Sequence, residues 1–348
     1  MIYIDGLAYR ALPAFEEDNI AVVFECSELF VPYLSVALAS LIACTSTENN
    51  YDIIVLGSEI KKCDEVVLCS LCNGKNNVTI RFFDPTAAVE KYIKSARYHY
   101  LAINYYRMSL PWILNEYPKV INLGADLIVE RDIAELFREP MQKACYLAGA
   151  PDLGYHGKLI EDISPNELSL FDPYSYINAD VLLFDLERIR RDYRQDALME
   201  IWQKKYFRHA EQDALNVFFD RRIHHLDLRW NVFPEQMSSE RDILNTSSAS
   251  IQIWHESLRD PCIIHYAGEP KPWDNPHVGF GDRWWYYAKQ SPYYEEIVRR
   301  INIGRVPSGQ TTLRNITDKL FPRETRRRVI LKKIIPFNSL LWRIGNRL

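Results

Sequence analysis

Hydrophobic residues in the first third of the chain form short runs rich in β-branched residues, and these runs alternate with longer apolar or amphipathic segments. Runs of about four to eight such residues are typical of buried strands, whereas the longer segments favour helices. We predict strands at 19–24, 51–57, 77–84 and 120–123, and helices at 30–44, 63–74 and 100–114. Strands that alternate with helices indicate an α/β fold with a mixed, mainly parallel central sheet.

The second half of the chain has a less regular pattern, and we find no internal repeat in the sequence. The pattern predicts strands at 145–152, 178–190 (turning into a helix), 222–233 (with a turn) and 261–273 (ending in a glycine loop), and a helix at 209–220. The polar residues at 236–260 are typical of an insertion or a loop with a short helix.

One acidic residue stands directly after a buried strand. The run at 120–123 passes into Gly124, Ala125 and Asp126, after which an apolar strand and the start of a helix follow at 127–137. Charged side chains avoid the interior unless they are paired with a cation or a metal. In open parallel sheets, ligands bind at the carboxyl ends of the strands. Asp126 therefore indicates a ligand site, although an aspartate can also cap a turn at such a position.

Composition narrows the class of protein. The 348 residues are 47% hydrophobic and 25% charged, as in an ordinary soluble globular chain of one large or two medium domains. No apolar stretch reaches the ~18 residues of a membrane span, and the acidic N-terminus lacks the layout of a secretory signal. Seven scattered cysteines suit a reducing, cytoplasmic compartment. Cys69 and Cys72 have no second pair at zinc-site spacing, so we expect them, with Cys63, to line the inner face of an amphipathic helix.

The C-terminal residues differ from the rest of the chain in charge. Residues 325–348 contain seven Arg or Lys and no acid, whereas the whole chain carries a net charge of −4. Apolar residues between 330 and 335 share one helical face, and Trp342 lies in a second apolar segment. A basic amphipathic segment with Trp is typical of a surface anchor on anionic lipid.

We therefore predict that a tail at 306–348 holds the protein at the inner face of the cell membrane as a peripheral protein. The alternative is an ordinary helix packed on the domain or on a neighbouring subunit. Nucleic acid is not an expected partner, because the rest of the chain is acidic.

Four segments of the chain form an ordered set of motifs: G-A-D at 124–126, YINADVLLFDLERIR at 176–190, EQDALNVFF at 211–219 and IIHYAGEPKPW at 263–273. In this order and spacing the chain resembles the family-eight glycosyltransferases. These are retaining enzymes of the GT-A fold, and they include bacterial lipopolysaccharide glucosyl- and galactosyltransferases and glycogenin-like proteins. The resemblance runs from about residue 19 to about residue 285. It implies a single Rossmann-like domain at 15–305 that binds a nucleotide sugar.

The resemblance also implies a divalent cation, manganese or magnesium. The sugar leaves a diphosphate, whose growing negative charge must be stabilised by a cation, amides and cationic side chains. Asp126 and His265 match two metal ligands of the family, Gly268 and Lys271 match phosphate-binding positions, and Arg107 matches an arginine that reaches the donor. Positions that line the donor sugar and the acceptor are matched by Asp152, Asn178, Glu211 and Gln212. We assign catalytic, stabilising roles to Gln212, Asp152 and Asn178.

Several of these residues also have an ordinary structural explanation. A histidine such as His265 is more often a satisfied core residue, Lys271 could be a solvated loop lysine, and Arg107 could brace a helix through an ion pair. The motif around His265 favours the ligand interpretation.

Two departures from the family pattern concern the metal and the base. Relatives carry Asp where this chain has Gly124, so one metal ligand is missing. Restoring Asp at position 124 is expected to strengthen metal binding, unless the backbone there requires glycine. FECSELF at 24–30 replaces the F-A-A-D-x-N-Y of relatives, so Ser27 stands for an Asp that contacts the base and Phe30 for a stacking Tyr. The donor-binding residues then also include Phe24, Glu25, Ser27, Phe30, Gly124 and Ala125.

The predicted function is retaining transfer of glucose or galactose from a UDP-sugar to a saccharide or lipid-linked saccharide acceptor, in surface polysaccharide or lipopolysaccharide synthesis. The alternative is a catalytically silent relative that binds a nucleotide sugar or supports a partner enzyme. A dinucleotide-dependent oxidoreductase is disfavoured, because no G-x-G-x-x-G follows the first strand.

Overall fold

The computed structural model describes residues 2–4, 7–9, 11–96, 100–153, 168–204, 206–235 and 247–305. The chain forms two compact units, residues 1–294 and residues 295–348. The described part of the second unit is helical and ends at Arg305. The predicted tail at 306–348 lies outside the described residues, so its membrane-binding character stays a prediction.

A seven-stranded sheet lies at the centre of the first unit. The described strands are β1 (Ile2–Ile4), β2 (Leu7–Tyr9), β3 (Asn19–Glu25), β4 (Asn50–Leu56), β5 (Val78–Phe83), β6 (Lys119–Leu123), β7 (Leu127–Val129), β8 (Leu147–Pro151), β9 (Ile177–Asp185), β10 (Ile223–His225) and β11 (Ile263–His265). The sheet order is β10-β8-β9-β6-β3-β4-β5. The neighbouring strands β6, β3, β4 and β5 run parallel to one another, and β10 runs parallel to β8. Strand β9 runs antiparallel to both β6 and β8. The predicted mixed, mainly parallel sheet is confirmed.

Helices cover both faces of this sheet. The described helices are α1 (Val31–Ala43), α2 (Lys62–Cys69), α3 (Thr86–Lys94), α4 (Ala102–Ile113), α5 (Ile133–Phe137), α6 (Leu186–Asp192), α7 (Gln195–Lys204), α8 (Ala210–Phe218), α9 (Ser248–Ser257), α10 (Gly281–Ala288) and α11 (Tyr294–Arg305). Short 3-10 turns lie at Glu28–Phe30, Ser70–Cys72, Pro173–Ser175 and Leu228–Asn231. None of the described helices is long and apolar enough to cross a membrane.

The core is divided between the two faces of the sheet. Successive residues of a strand point to opposite faces, so Val23 of β3 packs in a cluster with residues of α4 and α8. Its neighbours Val22 and Phe24 pack in a second cluster with residues of α1 and α5. A sheet that is buried on both faces requires strands that are apolar without interruption, and the sequence of β3 has this character.

The structure changes the bounds of several predicted elements. The strand predicted at 261–273 is only β11, and the one predicted at 222–233 is β10 followed by a 3-10 turn. The strand that turns into a helix is confirmed as β9 and α6, since the Asp185 side chain accepts a hydrogen bond from the Arg188 backbone N–H and caps the helix. In the region 236–260 the structure describes α9, and residues 236–246 lie outside the described residues.

One prediction about the cysteines is wrong. Cys69 and Cys72 pack against the core, but Cys63 is exposed. The reason is helical geometry, because Cys63 lies roughly 140° around the helix from Leu68, the residue that α2 buries. The described cysteines are all free thiols, and burial raises the pKa of Cys26 to about 12, which keeps that thiol protonated and unreactive.

The chain leaves the main sheet where β6 ends. Gly124, Ala125 and Asp126 form a turn into β7, which pairs antiparallel with β11 in a separate two-stranded sheet. This pairing places Leu127 opposite His265. On the other side of the turn, the Gly124 backbone N–H donates to the Asp180 carbonyl of β9 at 2.8 Å. The turn therefore brings the side chains of residues 126, 180 and 265 to the carboxyl end of β6.

A buried ion pair on β4 offers a test of this core. The fully buried Asp52 carboxylate accepts hydrogen bonds from Arg81 Nη2 at 2.6 Å and from the Tyr117 hydroxyl at 2.7 Å. Removing one partner of a buried pair leaves the other without compensation, so we expect Asp52→Ala to lower the free energy of unfolding by about 3 kcal/mol in denaturant titrations. Asp260→Ala removes the exposed partner of Arg131 and should leave the midpoint unchanged. Equal losses in both variants would contradict the assignment.

Candidate active site

Asp126 has two cationic or polar partners and is not the isolated carboxylate that the sequence suggests. Lys271 Nζ lies 2.5 Å from Asp126 Oδ2 and also donates to the Tyr266 carbonyl at 2.6 Å. His265 Nε2 lies 3.3 Å from Asp126 Oδ1. Burial by itself would raise the pKa of Asp126, but the positive charges of His265 and Lys271 beside it, together with the hydrogen bond from Lys271, outweigh burial and hold this pKa well below its usual range. Asp126 therefore stays ionised, and Lys271 is a largely buried partner rather than a solvated loop lysine.

A second carboxylate, which sequence analysis did not identify, joins this cluster. Asp180 Oδ2 on β9 lies 3.5 Å from His265 Nε2, and its Oδ1 accepts a hydrogen bond from Arg107 Nη1 at 3.0 Å. One sequence signal points to it in retrospect: Asp180 is two residues after Asn178 on one strand, so both side chains face the same side. Its position beside Gly124 comes from the β6–β9 pairing, which only the structure shows.

The orientation of the His265 ring is fixed by a chain of amides. The Asp180 backbone N–H donates to Asn178 Oδ1 at 2.9 Å, and Asn231 Nδ2 donates to the same oxygen at 3.0 Å. Asn231 Oδ1 is therefore left to accept from His265 Nδ1–H, which lies 3.0 Å away. Nδ1 carries the proton in this arrangement, and Nε2 points at the two carboxylates.

These residues fit a divalent cation. Asp126, Asp180 and His265 each offer a ligand atom, and the three atoms lie within 4.8 Å of one another. His265 is 1% exposed, and its Nε2 makes no hydrogen bond of normal geometry. A buried imidazole nitrogen that faces two carboxylates requires positive charge between them. Carboxylate oxygens and an imidazole nitrogen are common protein ligands of divalent metal ions.

Arg107 connects the metal cluster to the interior. Its guanidinium is buried in α4 and pairs with Glu25 at 3.3 Å, with Asp180 at 3.0 Å and with Glu211 at 3.1 Å. One cation cannot neutralise three acids. Burial raises the pKa of Glu211 to about 7 and also raises that of Glu25, although the Arg107 charge opposes both shifts. Asn122 Nδ2 donates to both oxygens of Glu25. Arg107 is thus a brace of this acidic cluster in the structure described here.

The three residues predicted to be catalytic lie together. Gln212 Oε1 accepts hydrogen bonds from Asn178 Nδ2 and from the Ala179 backbone N–H, both at 3.0 Å. Gln212 Nε2 lies 3.3 Å from Asp152 Oδ2, and Asn178 Nδ2 lies 3.5 Å from the same oxygen. Asn178 links this group to His265 through Asn231, so the structure joins the predicted catalytic and metal residues in one hydrogen-bonded network.

Phe30, which is predicted to stack on the base, lies in an aromatic group with Tyr33 and Trp273. Phe30 is 41% exposed and lies edge-on to Trp273, which stacks on Tyr33 with ring centroids 4.0 Å apart. Lys271 Nζ lies 5.9 Å from the Trp273 ring centre. The aromatic group is therefore adjacent to the Asp126–Lys271 pair.

The remaining predicted residues occupy different environments. Phe24 is fully buried in the core, and Ala125 is 9% exposed. Ser27 is half-buried and precedes the 3-10 turn at Glu28–Phe30. Gly268 has φ +75°, and no atom lies within 4 Å of the place that a Cβ would take. This position requires glycine and leaves the backbone open to a ligand.

Comparison with known proteins gives a consistent result. Residues 21–276 match the family model described as Glycosyl transferase family 8. The chain is 23% identical over 270 residues to a putative glycosyltransferase of Haemophilus influenzae. The aligned residues make up 74% of this chain and 76% of that relative. It is 25% identical over 219 residues to galactinol synthase 4 of Arabidopsis thaliana, covering 59% of this chain and 64% of that protein.

Solved structures show the same fold. The apo structure of the bifunctional glycosyltransferase WbbM superposes with a TM-score of 0.75 at 25% identity, covering 84% of this chain and 53% of WbbM. The chain thus spans about half the length of WbbM. The galactosyltransferase LgtC, in complex with donor and acceptor sugar analogues, superposes with a TM-score of 0.64 at 20% identity, covering 78% of this chain and 96% of LgtC.

The acidic cluster predicts a pH dependence of stability. The pKa of Glu211 is about 7 in the folded chain and 4.5 ordinarily, so between these values the folded state holds a proton that the unfolded state has lost. Stability should fall as pH rises from about 4.5 to about 7, by about 3 kcal/mol for this residue. Glu211→Gln should remove that part of the slope in urea titrations in EDTA. Glu200→Gln, an exposed control, should keep it. An unchanged slope in Glu211→Gln would contradict the shifted pKa.

Proposed function

Because the chain belongs to glycosyl transferase family 8 and is a transferase, we propose that it moves glucose or galactose from a UDP-sugar to a saccharide or lipid-linked saccharide acceptor, with retention of configuration. The observation that carries this proposal is the cluster of Asp126, His265 and Lys271 at the carboxyl end of β6. It combines ligands for a cation with an ammonium group suited to a diphosphate. The product would enter surface polysaccharide or lipopolysaccharide synthesis.

Asp126 and His265 would hold Mn²⁺ or Mg²⁺. When bound, the ion would stabilise the negative charge of the leaving diphosphate. Lys271 pairs with Asp126 in the present structure. A cation on Asp126 would take over this neutralising role and release the Lys271 ammonium to the phosphate oxygens. Gly268, with open space beside its Cα, would let a phosphate approach the backbone.

Gln212, Asp152 and Asn178 would line the sugars. Gln212 Oε1 already accepts two hydrogen bonds, so both of its lone-pair directions are in use. We therefore assign Gln212 the role of positioning the donor sugar rather than attacking it. In this scheme a departing phosphate oxygen takes the acceptor proton on the same face of the sugar. Phe30 would stack on the base, and the Ser27 hydroxyl would stand in for the acid that contacts the base in relatives.

A panel of nucleotide sugars tests the proposal. UDP-, dTDP- and GDP-linked sugars should be compared by thermal shift with and without Mn²⁺, followed by measurement of UDP released. We expect UDP-glucose or UDP-galactose to raise the melting temperature in the presence of Mn²⁺ and to be hydrolysed slowly without an acceptor. Stabilisation without any release would favour the catalytically silent relative, and a response to dTDP- or GDP-sugars alone would overturn the UDP assignment.

Lys271 offers a prediction with two opposite effects. Lys271→Ala should weaken UDP binding by roughly 1.5–3 kcal/mol, because it removes a charge-assisted contact. The same change should strengthen Mn²⁺ binding to the nucleotide-free protein, because Asp126 loses its competing cation. Calorimetry measures both affinities, and Lys289→Ala, an exposed lysine, is the control. Unchanged UDP affinity would remove Lys271 from the donor site.

We further propose that the basic segment at 306–348 binds anionic membrane. The supporting observation is its charge and apolar pattern in the sequence. A protein truncated after Arg323 should keep donor hydrolysis and lose binding to vesicles rich in phosphatidylglycerol, with roughly 1 kcal/mol lost per basic residue near the surface. Unfolding or aggregation of the truncated protein would show instead that the segment belongs to the folded core.

A further inference from the structure

Position 124 lacks a side chain, and the place that a Cβ would take there is bordered by the side chains of Asp126 and Asp180. A Cβ built on Gly124 would lie 3.1 Å from Asp126 Oδ1, 3.1 Å from Asp180 Cβ and 3.2 Å from Asp180 Cγ. Contacts of this length are tighter than nine in ten real Cβ contacts, so a neighbouring side chain would have to shift by a few tenths of an ångström. An aspartate at position 124 would therefore crowd the present Asp180 side chain.

The backbone does not explain the glycine at position 124. Among the described glycines, only Gly74 and Gly268 have positive φ, so the conformation of Gly124 is open to other residues. What Gly124 contributes is room for the carboxylate from β9. The expectation that an aspartate restored at position 124 strengthens metal binding, unless the backbone needs glycine, therefore gains a second condition, which is that the Asp180 side chain can shift.

The carboxylate of Asp180 faces the metal cluster. Its Oδ2 lies 3.5 Å from His265 Nε2, and its other oxygen is held by Arg107, which fixes the direction of the carboxylate. His265 Nε2 is a buried polar atom without a normal hydrogen bond, and it is aimed between Asp126 and Asp180. The Asn231 amide holds the imidazole in this direction. The buried nitrogen and the two acids thus form a three-ligand set from β11, the β6–β7 turn and β9.

We propose that Asp180 supplies the second carboxylate of the divalent-cation site, in place of the acid missing at position 124. In this proposal the two positions are reciprocal: they adjoin, either residue can carry the carboxylate, and a side chain at position 124 would crowd Asp180. This inference rests on the proposed function in one respect, which is that both take a divalent cation as the ligand of the site. In this proposal Asp180 is a metal ligand whose orientation is set by Arg107. Because Arg107 also pairs with Glu25 and Glu211, it couples the cation to these two acids.

Manganese titration of four proteins tests whether Asp180 takes the place of the acid missing at position 124. Wild type, Asp180→Asn, Gly124→Asp and the double variant Gly124→Asp/Asp180→Gly should be titrated by calorimetry and by Mn²⁺ electron paramagnetic resonance, with and without UDP. Asp180→Asn keeps an oxygen for Arg107, so the fold should persist. We expect it to lower Mn²⁺ affinity by on the order of tenfold or more. Asp260→Asn, an exposed acid outside the cluster, should bind Mn²⁺ as wild type does.

The variants at position 124 distinguish an exchange of the carboxylate between positions 180 and 124 from the simple loss of a metal ligand. Gly124→Asp alone should lower the melting temperature without a gain in Mn²⁺ affinity, whereas the double variant should recover most of the stability and affinity. Wild-type affinity in Asp180→Asn would overturn the assignment. A gain in both affinity and stability in Gly124→Asp alone would overturn the reciprocity.

These outcomes are distinguishable from failure of the proposed function. If Mn²⁺ titrations follow the expected pattern but no nucleotide sugar is hydrolysed, the cation site stands and the transferase proposal for this donor fails. If UDP-sugar is hydrolysed but wild type binds no Mn²⁺ with or without UDP, the assignment of Asp180 as a metal ligand is overturned and the transfer proposal survives without it.

Discussion

Two carboxylates and one imidazole nitrogen face the same small volume at the carboxyl end of β6, and the rest of the site is arranged around their need for positive charge. Asp126 and Asp180 lie 3.3 and 3.5 Å from His265 Nε2. Two like charges about 4 Å apart repel by roughly 4 kcal/mol at an effective dielectric of 20. This exceeds the net contribution of a typical hydrogen bond, which is about 1 kcal/mol. Lys271 supplies part of the compensation, and a cation would supply the rest.

The same shortage of positive charge extends into the interior. Glu25, Asp180 and Glu211 share the single guanidinium of Arg107, and Asp126 has the ammonium of Lys271. Burial raises the pKa of Glu211 to about 7, so a proton offsets some of the excess negative charge at neutral pH. A site that is short of cations when empty is suited to bind one, provided that its ligands are held still.

Rigidity comes from the sheet. Asp180 and Asn178 lie on β9, which is hydrogen-bonded to β6 on one side and β8 on the other. His265 lies on β11, whose pairing with β7 fixes its distance from Asp126. The amides of Asn178 and Asn231 then fix the ring. The aromatic group of Phe30, Tyr33 and Trp273 adjoins this frame at Lys271.

Much of this protein could be predicted from the sequence because the relevant information is local. Alternating apolar runs define the strands and helices of an α/β fold, since a sheet covered on both faces requires continuous apolar strands. The family motifs identified Asp126, His265, Gln212 and Asn178, and the structure brings these residues together. The bounds of the strands are harder to predict than their existence. The strands β10 and β11 are shorter than predicted, because pairing with a neighbouring strand, rather than the local pattern, decides where they end.

Only the tertiary structure shows which residues share a volume. Along the chain, Gly124 marks a missing ligand and Asp180 is an unremarkable polar residue within a strand. Antiparallel pairing of β6 and β9 places one beside the other, and a side chain at position 124 would crowd the acid. Asn231 and Lys271 likewise acquire their roles from contacts with residues distant in sequence. Sequence thus determined the chemistry available to this protein, whereas strand register decided which groups combine, because register depends on packing across the whole sheet.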